Sequence, residues 1–463
     1  MASRSILAAT AARSVGSRRS NGIRRITSLS RMKAAQGALA ETTVERHLPV
    51  PDFAKIGTRQ APDEIDEFWR RVPGWEDVSA DDFKSYRWSR VLPENIPTAG
   101  VISSGTEPRE RLIEDVFNGI SDATMSVRPN RSNPRNDPIF RQFIPTRSIM
   151  KPDHPNLTLD SLEEKADSSL PGLVHRYPEM ALFLPLSVCP TYCVFCTRSY
   201  ADGANADSVE KPGRSRWEAV FNYVQRTPEI QDINVSGGDS YQLLPQHIEM
   251  IGNWLVSTPH MRRFRLAFKG LAVCPTRLFD SKDTWFDALV AVSDRARKAG
   301  KAMALHTHFN HPNEISWITE RACRRLFEAG VTVRNQSVLL HGVNDDAETM
   351  STLIRKLADI NIFPYYVYQH DMVQKSEHLR TSLQTMLDLE GSIRGSIAGF
   401  MMPQFVVDLP GGGGKRLAGT HTSYDRNKGV SKFVAPALMG RGKENKVYEY
   451  HDPVDSLQRP LLQ

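Results

Sequence analysis

From residue 180 onward, short apolar runs alternate with segments of helical periodicity, and this alternation restricts the fold more than any other feature. The runs are MALFLPLSV (180–188), DINVSG (232–237), FRLAFKGLAV (264–273), AMALHTHF (302–309), VTVRNQSVLL (331–340) and PYYVYQ (364–369). Between them lie SRWEAVFNYVQRT, QHIEMIGNWLVST, TWFDALVAVSDRARKAG, SWITERACRRLFEAG and AETMSTLIRKLADI, each with apolar residues at helical spacing. Six such βα units, roughly 30 to 50 residues apart, predict a parallel sheet, either a barrel or a doubly wound sheet. Reactive groups in both folds sit at the C-terminal ends of the strands.

The flanks read differently. Residues 41–180 are mostly polar, with helix-like pieces at PDEIDEFWRRV and PRERLIEDVFNGI. The stretch 127–145, rich in Pro, Asn and Arg, predicts irregular chain. Past residue 400 comes a strand-like FVVDLP (405–410), then GGGGK and a polar tail to residue 463.

Charge is concentrated at the start. Eight of the Lys and Arg residues fall within the first 40 positions, and no acidic residue precedes Glu41. Arg-rich, Ser-rich and acid-free is the composition of a mitochondrial transit peptide, so residues 1–40 are expected to direct the chain to the matrix. Removing those charges from the net +6 leaves the remainder slightly acidic, which gives no footprint for nucleic acid. No run of apolar residues is long enough to predict a membrane-spanning helix. In a reducing compartment the isolated Cys274 and Cys323 are expected to be buried apolar residues and not disulfide partners.

The remaining three cysteines lie in SVCPTYCVFCTRSY (187–200), directly after the first strand. Three thiolates on one tight loop can hold three irons of a four-iron cluster and leave the fourth iron open. Zinc wants a fourth ligand, which the loop lacks, although a distant His could supply it. Aromatic Phe195 precedes the last cysteine.

This pattern resembles the radical S-adenosylmethionine superfamily. HRYPEMALFLPLSVCPTYCVFCTR, VSGGDS, HTHFNHPNEI, RNQSVLLHGVND, PYYVYQHDM and FVVDLPGGGGK are similar, in order, to the motifs of the lysine 2,3-aminomutase family. The resemblance implies an α/β fold: a partial (β/α)₆ TIM-like barrel over residues 175–400, an N-terminal helical cap over 41–174 and a C-terminal segment over 401–463. It implies an isomerase that moves an α-amino group to the β-carbon, most readily of L-lysine. The cofactors implied are a 4Fe-4S cluster, S-adenosyl-L-methionine and pyridoxal 5′-phosphate. An electron donor of flavodoxin or ferredoxin type is implied as a partner, and a homo-oligomer is left open.

The resemblance also distributes roles. Cys189, Cys193 and Cys196 become cluster ligands, with Phe195 beside the cofactor. Ser236, Gly237, Gly238 and Asp239 resemble the segment that holds the S-adenosylmethionine amine, and Gln336 stands near the same cofactor. Lys415, after a flexible glycine run, resembles the pyridoxal Schiff-base lysine, which fits an amine that must reach an aldehyde. Arg176 and Tyr177 resemble residues near the pyridoxal phosphate group. Arg198 resembles the arginine that pairs with the substrate carboxylate, a task for a guanidinium fork. Asp371 and Asp408 match an acidic pair for a distal ammonium. Against the family pattern, Met180 stands where an arginine is usual, Ser199 replaces a second arginine, Lys269 and Leu271 replace Arg and Pro, and Asp346 occupies a zinc-ligand position.

Overall fold

The computed structural model describes residues 137–143, 150–201, 214–280, 282–436, 442–443 and 445–457. The expected transit segment and the two expected lead-in helices lie outside them.

Ten strands form one sheet in strict sequence order. They are β1 (Ser168–Leu170), β2 (Leu173–Tyr177), β3 (Met180–Phe183), β4 (Asp232–Val235), β5 (Arg263–Ala267), β6 (Ala302–Thr307), β7 (Thr332–Val338), β8 (Ile362–Tyr368), β9 (Gln404–Leu409) and β10 (Gly414–Leu417). Strands β3 to β9 are parallel to their neighbours. Strands β1 and β2 at one end, and β10 at the other, pair antiparallel. The strand order runs sequentially with no reversal, as in a barrel, whereas a doubly wound sheet reverses at a switch point. The order therefore decides between the two predicted folds.

The helices are α1 (Pro138–Phe143), α2 (Arg214–Gln225), α3 (Pro245–Ser257), α4 (Gly270–Val273), α5 (Trp285–Lys298), α6 (Trp317–Glu328), α7 (Ala347–Asp359) and α8 (Leu383–Ile393). Side chains alternate along the strands. Ile233, Val235, Phe264, Leu266, Met303, Leu305 and Val333 turn to the helices and join one core with Leu255, Leu289, Val292 and Leu326. Their neighbours on the opposite face are polar: Asn234, Arg265, His306, Arg334 and Gln336. Side-chain oxygens cap the helices that follow the later strands. Ser316 accepts from Thr319 N–H, Asp346 from Thr349 N–H and Ser382 from Thr385 N–H. Asp346, at the expected zinc-ligand position, is thus the N-cap of α7.

Four local expectations change. Within 127–145, Pro138 opens the buried helix α1, because Asp137 accepts from the N–H groups of Ile139 and Phe140. The run at 264–273 is a strand only to Ala267, after which α4 forms. FVVDLP is a seventh parallel strand, β9. The polar tail contains an antiparallel sheet of β11 (Ser423–Asp425), β12 (Val430–Val434) and β13 (Val447–His451), with Phe433 and Tyr450 buried in the core.

Candidate active site

The cysteine loop leaves β3 at its C-terminal end, where a parallel α/β sheet places its chemistry. Its course is fixed by the segment after β4. Gly238 N–H donates to Leu186 O and Asp239 N–H to Val188 O, both at 2.9 Å. Gly237 has φ +108°, and a Cβ on Gly238 would lie 2.3 Å from Val188 O. The two glycines therefore permit close approach of this segment to the cysteine loop, where sequence reasoning expected approach to a ligand. Asp239 is likewise committed. Its Oδ1 accepts from Tyr241 N–H and its Oδ2 from Lys269 N–H, each at 2.8 Å, while burial pushes the carboxyl up to about 6. Ser236 is buried, and its N–H donates to Phe183 O.

On the far side the loop packs on α1 and on the turn after β6. Val194 N–H donates to Gln142 O, and Phe195 stacks on His308 with ring centres 5.5 Å apart. Lys269 bridges the neighbouring turns. Its Nζ donates to His308 O at 2.8 Å and to Glu314 Oε1 at 2.6 Å. Among the described residues no three acidic, His or Cys side chains are already drawn to metal-ligand distances. The donor set suits a thiophilic centre: three thiols, at C-x₃-C-x₂-C, on a loop held from both sides. Burial pushes the Cys193 thiol up to about 12, so it stays protonated until a metal displaces the proton. Cys274 and Cys323 are buried, as expected.

The second group of residues lies where β9 turns into β10. Gly411, Gly412 and Gly414 all have positive φ and make a tight turn. Lys415 stands on β10 directly opposite Asp408 on β9, with Nζ 2.8 Å from Oδ2. The expected flexible tether is thus a hairpin, since positive φ at these glycines closes a turn that other residues resist. Lys415 Nζ also lies 5.9 Å from the Tyr177 ring centre and 5.7 Å from that of Tyr368. Burial would lower the pKa of this ammonium, but the Asp408 carboxylate outweighs it and holds the group well above its usual value. Asp371, past the end of β8, is raised well above the ordinary carboxyl range, first by burial and then by Asp408.

Two predicted arginines are otherwise engaged. Arg176 is buried, and it donates through Nε to Asp167 Oδ2 at 2.6 Å and through an Nη to Leu162 O, with Asp408 at 3.9 Å. Arg198 makes a two-point pair with Glu164, at 2.8 Å through Nε and 2.7 Å through Nη2. Glu164 also contributes to raising Asp371, so Arg198, Glu164, Asp371, Asp408 and Lys415 belong to one charged cluster. Glu164 and Asp167 were not found from sequence, because DSLEEKADSS carries no spacing that marks it as more than a polar turn. Gln336 donates to His306 Nδ1 at 3.0 Å on the polar face of the sheet.

No protein-family profile matches the chain. Individual proteins do. It is 35% identical over 391 residues to the L-lysine 2,3-aminomutase of Clostridium subterminale, an alignment covering 83% of this chain and 88% of that one. The chain belongs to the lysine 2,3-aminomutase family. Bacillus subtilis L-lysine 2,3-aminomutase is 33% identical over 357 residues, 75% of this chain and 71% of that one. A glutamate 2,3-aminomutase of Clostridioides difficile is 28% identical over 358 residues, covering 76% and 81%. Aminomutases are isomerases that migrate an amino group, and the lysine 2,3-aminomutase family uses S-adenosylmethionine, a 4Fe-4S cluster and pyridoxal phosphate.

Proposed function

We propose that this chain moves the α-amino group of a cationic amino acid to the β-carbon, with L-lysine to β-lysine as its preferred reaction. One observation carries the choice of substrate. Asp371 Oδ1 and Asp408 Oδ1 are both buried without a hydrogen-bond partner. Buried carboxylate oxygens demand donors, and the distal ammonium of lysine supplies them. A dicarboxylic substrate would instead bring a further carboxylate against this acidic pair.

In this reading Cys189, Cys193 and Cys196 hold the cluster, and Lys415 holds pyridoxal phosphate. When bound, the cluster and S-adenosylmethionine supply a hydrogen-abstracting radical, and pyridoxal phosphate supplies a carbonyl that carries the migrating nitrogen. The chain's own work is positioning. Arg198 takes the substrate carboxylate in exchange for Glu164, and Asp371 with Asp408 anchors the other end. The test is anaerobic reconstitution followed by assay of lysine, glutamate and neutral amino acids for β-isomers and 5′-deoxyadenosine. Turnover of glutamate with none of lysine would overturn the substrate; absence of deoxyadenosine with any amino acid would overturn the reaction.

The proposal extends to location. Residues 1–40 route the chain to the mitochondrial matrix, where a flavodoxin- or ferredoxin-type donor reduces the cluster; the support is the acid-free run of eight cations. A reporter fused behind these residues should enter mitochondria, and cytosolic retention would refute the assignment.

A further inference from the structure

The loop after β8 carries Asp371, and its backbone is gripped from two sides by chain far away in sequence. Downstream, Thr158 bridges to Val373, donating its N–H to Met372 O and accepting from Gln374 N–H, both at 3.1 Å. Upstream, the grip comes from β13 of the C-terminal sheet. Tyr450 is buried, and its hydroxyl donates to His370 O at 2.9 Å while accepting from Gln369 Nε2 at 3.1 Å. His370 passes the contact on, because its Nδ1 lies 2.6 Å from Asp371 O. A carbonyl can only accept, so Nδ1 carries the hydrogen.

Tyr450 is fastened in turn by the far end of the same loop. The Arg380 guanidinium lies 5.5 Å from its ring centre, donates to His451 O and pairs with Glu377 at 2.7 Å. Glu377 Oε1 accepts from Val454 N–H and Asp452 Oδ1 from Leu383 N–H, each at 2.8 Å. Gln369 Nε2 also donates to Thr381 O at 2.6 Å. Residues 369–383 and 450–454 thus share one buried polar network, and the Tyr450 hydroxyl is its link to the residue before Asp371. Asp371 Oδ1, by contrast, makes no hydrogen bond. The backbone on either side therefore has to fix where this carboxylate stands.

We propose that Tyr450 is a positioning residue whose hydroxyl fixes the reach of Asp371, and so sets the length of amino acid accepted. The inference rests on the reading of Asp371 as the partner of a distal ammonium. Such an anchor discriminates by distance. An ammonium one methylene short meets Asp371 only if the loop moves inward, and the Tyr450 hydrogen bonds resist that movement. Selectivity for lysine over ornithine is thus supported from a strand 80 positions further along the chain.

The test compares lysine with ornithine in the reconstituted wild-type and Tyr450→Phe holoenzymes. The variant keeps the ring against Arg380 and loses only the hydroxyl. Its KM for lysine should rise about threefold to tenfold, the effect of one lost hydrogen bond, with kcat held. The ratio of lysine to ornithine kcat/KM should fall, while iron content and pyridoxal absorbance stay at wild-type levels. In an Asp371→Asn background Tyr450→Phe should add little, since it acts through that carboxylate. Unchanged KM and selectivity would overturn the proposal. Equal loss for both amino acids would mark a merely structural role and also overturn it. Full additivity with Asp371→Asn would do the same, because the hydroxyl would then act elsewhere. Should Tyr450→Phe fail to fold, Gln369→Met, which removes the donor to the same hydroxyl, must lower the selectivity; wild-type selectivity there refutes the role. A wild-type KM for lysine in Asp371→Asn would refute the reading of Asp371 itself. A null result for Tyr450→Phe beside a clear effect of Asp371→Asn refutes the positioning role alone.

Discussion

Lys415 and Asp408 face each other as register partners on β10 and β9, with their charged groups 2.8 Å apart. The pair holds the amine protonated, whereas condensation with an aldehyde needs it neutral. Uptake of pyridoxal phosphate should therefore accelerate as pH rises. Asp408→Asn removes the charge that raises Lys415 and leaves the burial that lowers it, so the whole rate profile should move to lower pH. Stopped-flow absorbance measures this directly. Lys415→Ala should abolish the pyridoxal band and keep the iron content; a persisting lysine-dependent band would exclude the role.

Asp371 gives a second pH dependence. Its carboxyl is raised in the fold, first by burial and then by Asp408, so its protonated form is favoured there. The associated stability is complete below the unfolded carboxyl pKa and declines as pH rises through the folded value. Asp371→Asn should flatten the alkaline fall in Tm of the unliganded protein while weakening lysine binding. Calorimetry should also detect proton release when lysine binds the wild type. A pH profile of Tm unchanged by the substitution would contradict the buried, raised carboxyl.

Lys269 and Glu314 form a buried ion pair, 2.6 Å between Nζ and Oε1, at the back of the cysteine loop. Lys269→Met leaves Glu314 charged and dry, and breaking such a pair costs about 3–5 kcal/mol. Lys269→Met should lower Tm sharply, and Lys269→Met with Glu314→Gln should recover much of it. Denaturant melts of the single and double variants measure the coupling.

Gly238 tests the geometry of the cluster loop. A methyl group there collides with Val188 O at 2.3 Å, and neither atom belongs to a side chain that can rotate aside. Gly238→Ala should displace the loop and reduce iron incorporation, with the pyridoxal band at Lys415 retained. Iron and sulfide analysis beside an absorbance spectrum separates the two sites.

The sequence by itself was sufficient for the strand–helix alternation, because the apolar periodicity that drives burial is a local property. The helix limits of α3, α5, α6 and α7 fall within a residue or two of the predicted segments for that reason. The cysteine spacing and the ordered motifs were legible in the same way, since chemistry written into adjacent residues survives without coordinates. Strand β9 was legible as a strand but not as a member of the parallel sheet, and the sheet β11–β13 was not legible at all: their burial comes from partners far along the chain. The tertiary structure alone decided how each charge is matched. Arg176 goes to Asp167, Arg198 to Glu164, Lys415 to Asp408 and Asp239 to two backbone N–H groups. Ion pairing depends on through-space distance in a dry environment, and partners such as Arg198 and Glu164, 34 positions apart, meet only after the sheet has formed.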